Sequence, residues 1–288
     1  MNMWTIQSIL RETVERLQRA GVETARRDAE WLLRHALGCD DAYLIAHPRQ
    51  SVGEADHRRL MANVRRRLDG EPLQYIIGYK EFWKDRFLVS PAVLIPRPET
   101  ELLVEYGAFC LAHRRAPRVL DLATGSGCVG LSLLREHPTA VVVATDVSPA
   151  ALDVARANAV RLGWQDRFRL VAGDGVAMLA GRARGFFQLI VSNPPYVSEK
   201  DYPELAREIR LFEPAGALLA GPDGLAFYRR WLLPALELLA PGGHLLMECG
   251  ADQGASLAEL VRDAPCPTEF LPDLAGRTRV LHMGPRGE

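Results

Sequence analysis

Phe187-Gln188-Leu189-Ile190-Val191-Ser192-Asn193-Pro194-Pro195-Tyr196 is an apolar run brought to a stop by an amide and two prolines. The run Phe187 to Ser192 reads as a strand buried on both faces, the kind found in parallel sheets. Asn193 then stands at a strand's C-terminal end, where open α/β sheets bind ligands. The residue before a proline is driven toward extended geometry, and two successive prolines fix two φ angles and supply no N–H donor. What remains is a stiff turn offering a side-chain amide, backbone carbonyls and an aromatic ring, a set suited to gripping an NH2 group on a flat acceptor. A loop that merely ends a strand is the plain alternative.

Upstream of this run, strands alternate with helices. Val119-Leu120-Asp121-Leu122 is strand-like and leads into glycines and a helix near Val129–Leu134. Ala140–Thr145 is a second strand, followed by a helix over 150–162, and Phe168–Val171 is a third. Downstream, His244–Glu248 is a fifth strand after the Pro241-Gly242-Gly243 turn, with weaker candidates at 268–272 and 279–283. The alternation predicts an α/β fold with a mainly parallel, doubly wound, seven-stranded sheet from about residue 101 to 288. Residues 76–100 change character: Phe82, Trp83, Phe87, Leu88 and Val89 between Gly78 and Pro91 predict a hairpin connector.

Residues 1–75 read as a small helical bundle. Ile6, Ile9, Leu10, Val14 and Leu17 recur at helical spacing before Gly21, and Thr24 is placed to cap a second helix ending at Gly38. Ser51 and Glu54 have capping-box spacing ahead of Leu60, Met61, Val64 and Leu68. The last helix carries Arg58, Arg59, Arg65, Arg66 and Arg67, read as a solvated face or, alternatively, a partner-binding one.

Composition bounds the function. The chain has 288 residues, 48% hydrophobic and 25% charged, with a net charge of −1, so no global pull toward nucleic acid or membrane is visible. Cys39, Cys110, Cys128, Cys249 and Cys266 form no C-x-x-C pair, which argues for free thiols and against a zinc site or disulfide framework. No apolar run reaches spanning length, and Met1-Asn2-Met3-Trp4 lacks a leader pattern, so a cytoplasmic location is expected.

The loop Asp121-Leu122-Ala123-Thr124-Gly125-Ser126-Gly127 follows the first strand of the sheet. Gly125, Gly127 and Gly130 satisfy G-x-G-x-x-G, a weak signal alone. Asp146 ends the second strand, where a carboxylate can accept from both ribose hydroxyls; capping the helix after Ser148-Pro149 is the plainer role. Together they indicate an adenosine-containing cofactor. Asp121 would sit poorly beside a pyrophosphate but can steady a loop near a cationic methionine moiety. Hydride transfer has no obvious use for Asn-Pro-Pro-Tyr. Both points favour S-adenosylmethionine over a dinucleotide.

These motifs resemble those of class I S-adenosylmethionine-dependent methyltransferases acting on planar amino or amide nitrogens. Gly70–Gly78, Leu94-Ile95-Pro96-Arg97-Pro98-Glu99-Thr100-Glu101, Phe212-Glu213-Pro214 and Gly221-Pro222-Asp223-Gly224-Leu225 narrow the resemblance to the HemK/PrmC family, the glutamine methyltransferases of peptide chain release factors. The resemblance implies a Rossmann-like methyltransferase sheet and the glutamine of a Gly-Gly-Gln motif as substrate, with an N-terminal domain that recognises the release factor. It implies Asp121, Ala123, Thr124, Gly125, Ser126, Gly127, Asp146, Asp174, Gly175 and Asn193 around the cofactor. Asn193, Pro194, Pro195 and Tyr196 would hold the substrate amide, with Arg97 either on the rim or tethering the connector. No histidine is demanded, and no direct nucleic-acid or membrane contact is expected. Two positions depart from the family: Ala123, where glycine is frequent, and Gly175, where an aromatic often follows the acid. Another apolar side chain must then cover the adenine, or the ring is more exposed. An adenine methyltransferase on DNA or RNA, a ribosomal-protein glutamine methyltransferase and a non-catalytic cofactor-binding regulator are the competing readings.

Overall fold

The computed structural model describes residues 4–179, 181 and 183–285; Met1-Asn2-Met3, read above for a leader, lie outside them. The chain divides into two compact units, Met1–Gly78 with Arg207–Phe212, and Tyr79–Ala206 with Glu213–Glu288. Two expected boundaries move. The expected connector over 76–100 divides, with 76–78 in the first unit and the hairpin from Tyr79 onward in the second, and Arg207–Phe212 packs with the first.

The first unit holds α1 (Ile6–Arg19), α2 (Ala25–Leu37), α3 (Asp41–Ala46), α4 (Glu54–Leu68) and α5 (Leu73–Ile77). Ile6, Ile9, Leu17, Leu32, Leu33, Leu60 and Val64 are buried at the spacing the sequence showed. The caps differ from expectation. Thr5 forms a capping box with Ser8 at the start of α1, whereas Thr24 makes no side-chain cap bond and Gly53, not Ser51, is the N-cap of α4. Spacing alone did not reveal that the chain turns into the helix two residues after Ser51.

The arginine row of α4 is not one solvated face. Arg67 is buried; its Nε donates to the buried Asp28 carboxylate at 2.8 Å and its NH1 to Glu208 at 2.9 Å and to the Glu71 carbonyl at 3.2 Å. Glu208 lies on α9 (Arg207–Phe212), so this guanidinium ties the inserted segment to the bundle. Arg66 makes a bidentate pair with Glu71 at 2.8 and 2.6 Å, and Arg59 donates to the Ala36 carbonyl that ends α2.

The second unit begins with the hairpin of β1 (Tyr79–Phe82) and β2 (Asp85–Leu88), then α6 (Glu101–Leu111). The sheet follows: β3 (Arg118–Leu122), α7 (Cys128–Glu136), β4 (Val141–Asp146), α8 (Pro149–Leu162), β5 (Phe168–Ala172) and β6 (Phe187–Ser192). After α9 come α10 (Ala226–Leu238), β7 (Leu239–Glu248), α11 (Gly254–Leu260), β8 (Thr268–Pro272) and β9 (Thr278–Met283). The strand order is β5-β4-β3-β6-β7-β9-β8. The first five of these are parallel, and β9 pairs antiparallel with both β7 and β8. All seven strands were legible, although β7 starts five residues earlier than read, with an irregular register opposite Phe187 and Leu189.

Alternation along the strands builds two cores. Val119, Leu189 and Val191 join Leu103, Val104, Leu131 and Leu134 of α6 and α7 on one face. Leu120, Leu122 and Ile190 join Tyr228, Trp231, Leu232 and Ala235 of α10 on the other. Helix α10 is not among the elements predicted from the sequence; Tyr228, Trp231, Leu232 and Ala235 are spaced as a helical stripe, and Pro234 lies inside it.

The five cysteines are free. Cys110, His244 and His282 nevertheless converge where α6 meets β7 and β9, with His244 Nδ1 3.0 Å from His282 Nε2 and His282 Nδ1 2.8 Å from Glu269. These residues lie far apart in sequence, so no spacing motif announced them. Neutral rings satisfy this chain of hydrogen bonds, ending on the Glu269 carboxylate.

Removing the guanidinium at Arg67 leaves Asp28 buried and unpaired, a change that costs about 3–5 kcal/mol. Arg67→Ala is therefore expected to lower unfolding free energy by that order in urea titrations of the full chain, whereas Arg58→Ala, at an exposed pair with Glu54, should cost under about 1 kcal/mol.

Candidate active site

The reversal of strand order between β3 and β6 opens a crevice at the C-terminal edge of the sheet. A cavity of about 340 Å³ lies there, walled by the connector (Val93, Pro96, Thr100), the glycine loop, the ends of β4 and β6, and α10. Of the residues expected at a cofactor, Asp121, Ala123, Thr124, Gly125, Ser126, Asp146, Asp174, Gly175 and Asn193 all line it, and Pro195 joins them. Gly127 is not in the lining; at φ 80° it serves as N-cap of α7.

Asp121 holds the loop from beneath. Its Oδ2 accepts from the Thr124 hydroxyl at 2.6 Å and from the Gly130 N–H at 3.1 Å. Gly130 allows that approach, since a Cβ there would lie 2.8 Å from Asp121 Oδ2 and 2.9 Å from the Phe168 ring. Burial pushes the Asp121 carboxyl up to about 7, partly offset by these two donors. Ala123 adopts φ +54°, which explains why glycine suits this position and costs an alanine about 1–2 kcal/mol.

Asp146 takes the plainer of the two roles weighed for it, at the start of α8, and adds a contact to the glycine loop. Its Oδ2 accepts from the Gly125 N–H and its Oδ1 from the Ser148 N–H, each at 2.9 Å. The carboxylate thus joins the loop to the start of α8, and each oxygen keeps a second lone pair toward the cavity. Asn158 of α8 is fully buried and bonds the Ser126 carbonyl at 2.9 Å as well as the Leu88 N–H and C=O at 2.7 and 3.0 Å, so one amide locks loop to hairpin.

The Asn-Pro-Pro-Tyr turn is anchored at every step. Ser192 Oγ donates to the Leu122 carbonyl at 2.8 Å. Asn193 Nδ2 donates to Thr100 Oγ1 at 3.0 Å, which fixes the amide's orientation and leaves Oδ1 as its open acceptor. Tyr196 does not line the cavity: its hydroxyl donates to Glu248 Oε1 at 3.3 Å, and its carbonyl accepts from Gln253 Nε2 at 3.0 Å. Pro194 is buried and likewise outside the lining. Glu248, at the end of β7, is only 1% exposed and also hydrogen-bonded by Thr100. Burial raises its carboxyl to about 7 against those two donors. Thr100 and Glu248 were not singled out as site residues from the sequence. Thr100 stood in the quoted Pro-Glu-Thr-Glu segment, but only the fold brings it to Asn193.

Arg97 is taken up by Glu213, NH2 to Oε1 at 2.6 Å, while Glu213 Oε2 accepts from the Ile95 N–H at 3.1 Å. Glu213 is buried, and Arg97 is not among the cavity-lining residues. This pairing ties the connector at Ile95 and Arg97 to the segment that carries Glu213. Asp174 lines the cavity and pairs with Arg230 of α10.

Comparison with known proteins places this geometry in context. The PrmC N-terminal domain matches residues 8–78 and the methyltransferase small domain matches 99–228. A release factor glutamine methyltransferase of Bradyrhizobium diazoefficiens is 42% identical over 282 residues, covering 96% of this chain and 94% of the relative. One from Cereibacter sphaeroides is 44% identical over 273 residues, covering 94% and 95%. Among solved structures, the hMettl16 catalytic domain in complex with a MAT2A 3'UTR hairpin has a TM-score of 0.55 at 16% identity, covering 80% of this chain and 81% of that one, a likeness of fold.

Because Glu248 rises from an ordinary 4.5 to about 7 on folding, its protonated form favours the folded chain. That contribution is complete below pH 4.5 and is lost as pH rises through 7. Asp121 acts in the same sense. Glu248→Gln is expected to flatten the decline of Tm across this window in scanning calorimetry; a slope equal to that of the parent would count against a protonated Glu248.

Proposed function

As the chain belongs to the family of release factor glutamine methyltransferases, we propose that it moves the methyl group of S-adenosylmethionine to the side-chain amide nitrogen of a release factor glutamine, in the Gly-Gly-Gln motif. The observation that carries this reading is the oriented amide of Asn193 beside a cavity walled by Asp121, Gly125 and Asp146. The donor set fits the cofactor: a cavity of about 340 Å³ within the range of small-molecule sites, with mostly apolar walls and the carboxylates of Asp121, Asp146 and Asp174 among its lining. Asp146 has lone pairs for ribose hydroxyls, and Asp121 places a carboxyl near a sulfonium. The cofactor supplies an activated methyl group when bound.

The rest of the chemistry falls to the chain itself. A glutamine amide nitrogen is a poor nucleophile because its lone pair is delocalised into the carbonyl, so orientation matters more than a strong base. Asn193 Oδ1 and the Pro194 carbonyl each accept one amide N–H. Two acceptors set the plane of the incoming amide and aim its nitrogen across the cavity. Fixing reactants at near-attack distance is worth about 7–11 kcal/mol in favourable cases. The same acceptors stabilise positive charge as it develops on nitrogen. Thr100 keeps Asn193 from flipping, and Tyr196, pinned by Glu248 and Gln253, braces the turn beside the acceptors. No step requires a histidine.

The bundle of residues 4–78 with 207–212 is the docking unit for the release factor in this reading, supported by its match to the PrmC N-terminal domain. The free cysteines and a substrate in translation fit the cytoplasm, and no helix among the described residues is long and apolar enough to cross a membrane.

Asn193→Ala is expected to reduce methyl transfer to release factor by at least about a hundredfold, the scale of one lost transition-state acceptor, with cofactor affinity within about threefold. Thr100→Val, which leaves Asn193 free to flip, should lower kcat about fivefold to a hundredfold with little change in cofactor binding. A radiolabelled-methyl assay with release factor, its glutamine-substituted form, ribosomal proteins and DNA as separate acceptors decides the substrate; labelling of the glutamine-substituted factor or of DNA would overturn the assignment.

A further inference from the structure

The wall of the cavity contains an aromatic side chain with an unusual relation to its neighbour. Gly175, at φ +58°, opens the short 3-10 turn Gly175–Met178 after β5. A Cβ built on it would fall 2.2 Å from Trp231 Nε1 and 2.4 Å from Trp231 Cε2. The pyrrole face of that indole therefore fills the space in which any other residue at 175 would keep its side chain. Trp231 comes from α10, some fifty-six positions later in the chain, and lines the cavity beside Asp174, Gly175 and Phe227.

Three further observations converge on this indole. It is 3% exposed, held by α10 on one side and by the Phe227 ring, edge-on at 4.9 Å. Its Nε1–H is buried with no hydrogen-bond partner. A buried donor left unmade costs about 1–3 kcal/mol, and an acceptor on a ligand that reached this one would recover that cost. Finally, the sequence leaves the wall after Asp174 without a side chain at all, although this turn is joined to the end of β4 by the Gly173 N–H on the Asp146 carbonyl at 2.9 Å.

We propose that Trp231 is a cofactor-binding residue: with Gly175 and Phe227 it forms the seat of the purine, and its indole N–H donates to an acceptor on the base. This rests on the S-adenosylmethionine reading of the cavity. The aromatic surface is delivered from helix α10 rather than from the turn after β5, and glycine at 175 is the gap through which it reaches the ligand. Residue 175 and residue 231 are thus one unit. Any side chain at 175 excludes the indole, and loss of the indole leaves a hole that glycine cannot fill. Purines carry ring nitrogens with in-plane lone pairs and a polarisable face, so they suit a wall that presents both an N–H and an aromatic surface.

The test uses the full chain and S-adenosylhomocysteine as probe, followed by titration calorimetry and by tryptophan emission. Trp231→Phe keeps an aromatic ring and deletes the N–H; its affinity is expected to fall about fivefold to thirtyfold, the range for one lost buried hydrogen bond. Trp231→Leu should fall further. Saturating probe is expected to change the emission of the parent protein, and that change should vanish in Trp231→Phe, which retains the other four of the five tryptophans. Circular dichroism checks that each variant is folded, and if Trp231→Leu fails to fold, Trp231→Phe and the emission change carry the test. Binding within twofold of the parent in Trp231→Phe, with the emission change preserved, overturns the role of Trp231 and leaves the cofactor reading standing. Failure of the parent itself to bind the probe overturns both.

Discussion

Strand β3 is hydrogen-bonded in parallel to β4 on one side and to β6 on the other, and everything functional in the second unit depends on that double pairing. It aligns Leu122 with Thr145 and with Ser192, so three chain segments leave the sheet at the same level. The residues that follow are the glycine loop, Asp146 and Asn193. Parallel strands need crossover connections, here α7, α8 and the segment after β5, and right-handed crossovers on opposite faces open a crevice where the order reverses. The Ser192 hydroxyl on the Leu122 carbonyl adds a bond across that junction, where the backbone ladder gives out.

Around the crevice, buried polar groups do the positioning. Asp121 and Glu248 are carboxyls in the interior, each raised by burial toward neutrality, and each holds a segment that hydrophobic packing alone would leave loose. Asp121 draws Thr124 and Gly130 together beneath the loop, while Glu248 meets Thr100 and Tyr196, the two residues that steady the Asn-Pro-Pro-Tyr turn. Asn158 does the same for the hairpin and the loop with one amide. Such groups cost desolvation energy and specify a single arrangement, which is what an acceptor that must point in one direction requires. Ala123 at φ +54° adds local strain to the same loop.

The helical unit follows a similar economy. Its core is a set of aliphatic stripes, and a buried guanidinium, that of Arg67, is used to hold the still more buried Asp28 and the inserted α9 through Glu208. A row of arginines in the sequence thus resolves into different duties: exposed pairs such as Arg58 with Glu54, a carbonyl cap from Arg59, and one buried clamp. Charge spacing along a helix cannot separate these, because the partners Asp28 and Glu208 lie 39 and 141 residues away.

By itself, the sequence determined the strand and helix pattern, the parallel sheet, the hairpin, and the segments that carry the chemistry. Those features are set by neighbours in the chain: alternation on strands, three-and-four spacing on helices, glycine where φ is positive, proline where a turn is stiff. Only the tertiary structure decided that Thr100 orients Asn193 across 93 residues, that Tyr196 turns its hydroxyl to Glu248 and not into the cavity, and that Arg97 is spent on Glu213. It also decided that Trp231 stands in the space a side chain at 175 would take. Each of these is a contact between residues distant in sequence, whose directions exist only once strands are registered and helices packed; no local pattern encodes the direction in which a side chain finally points.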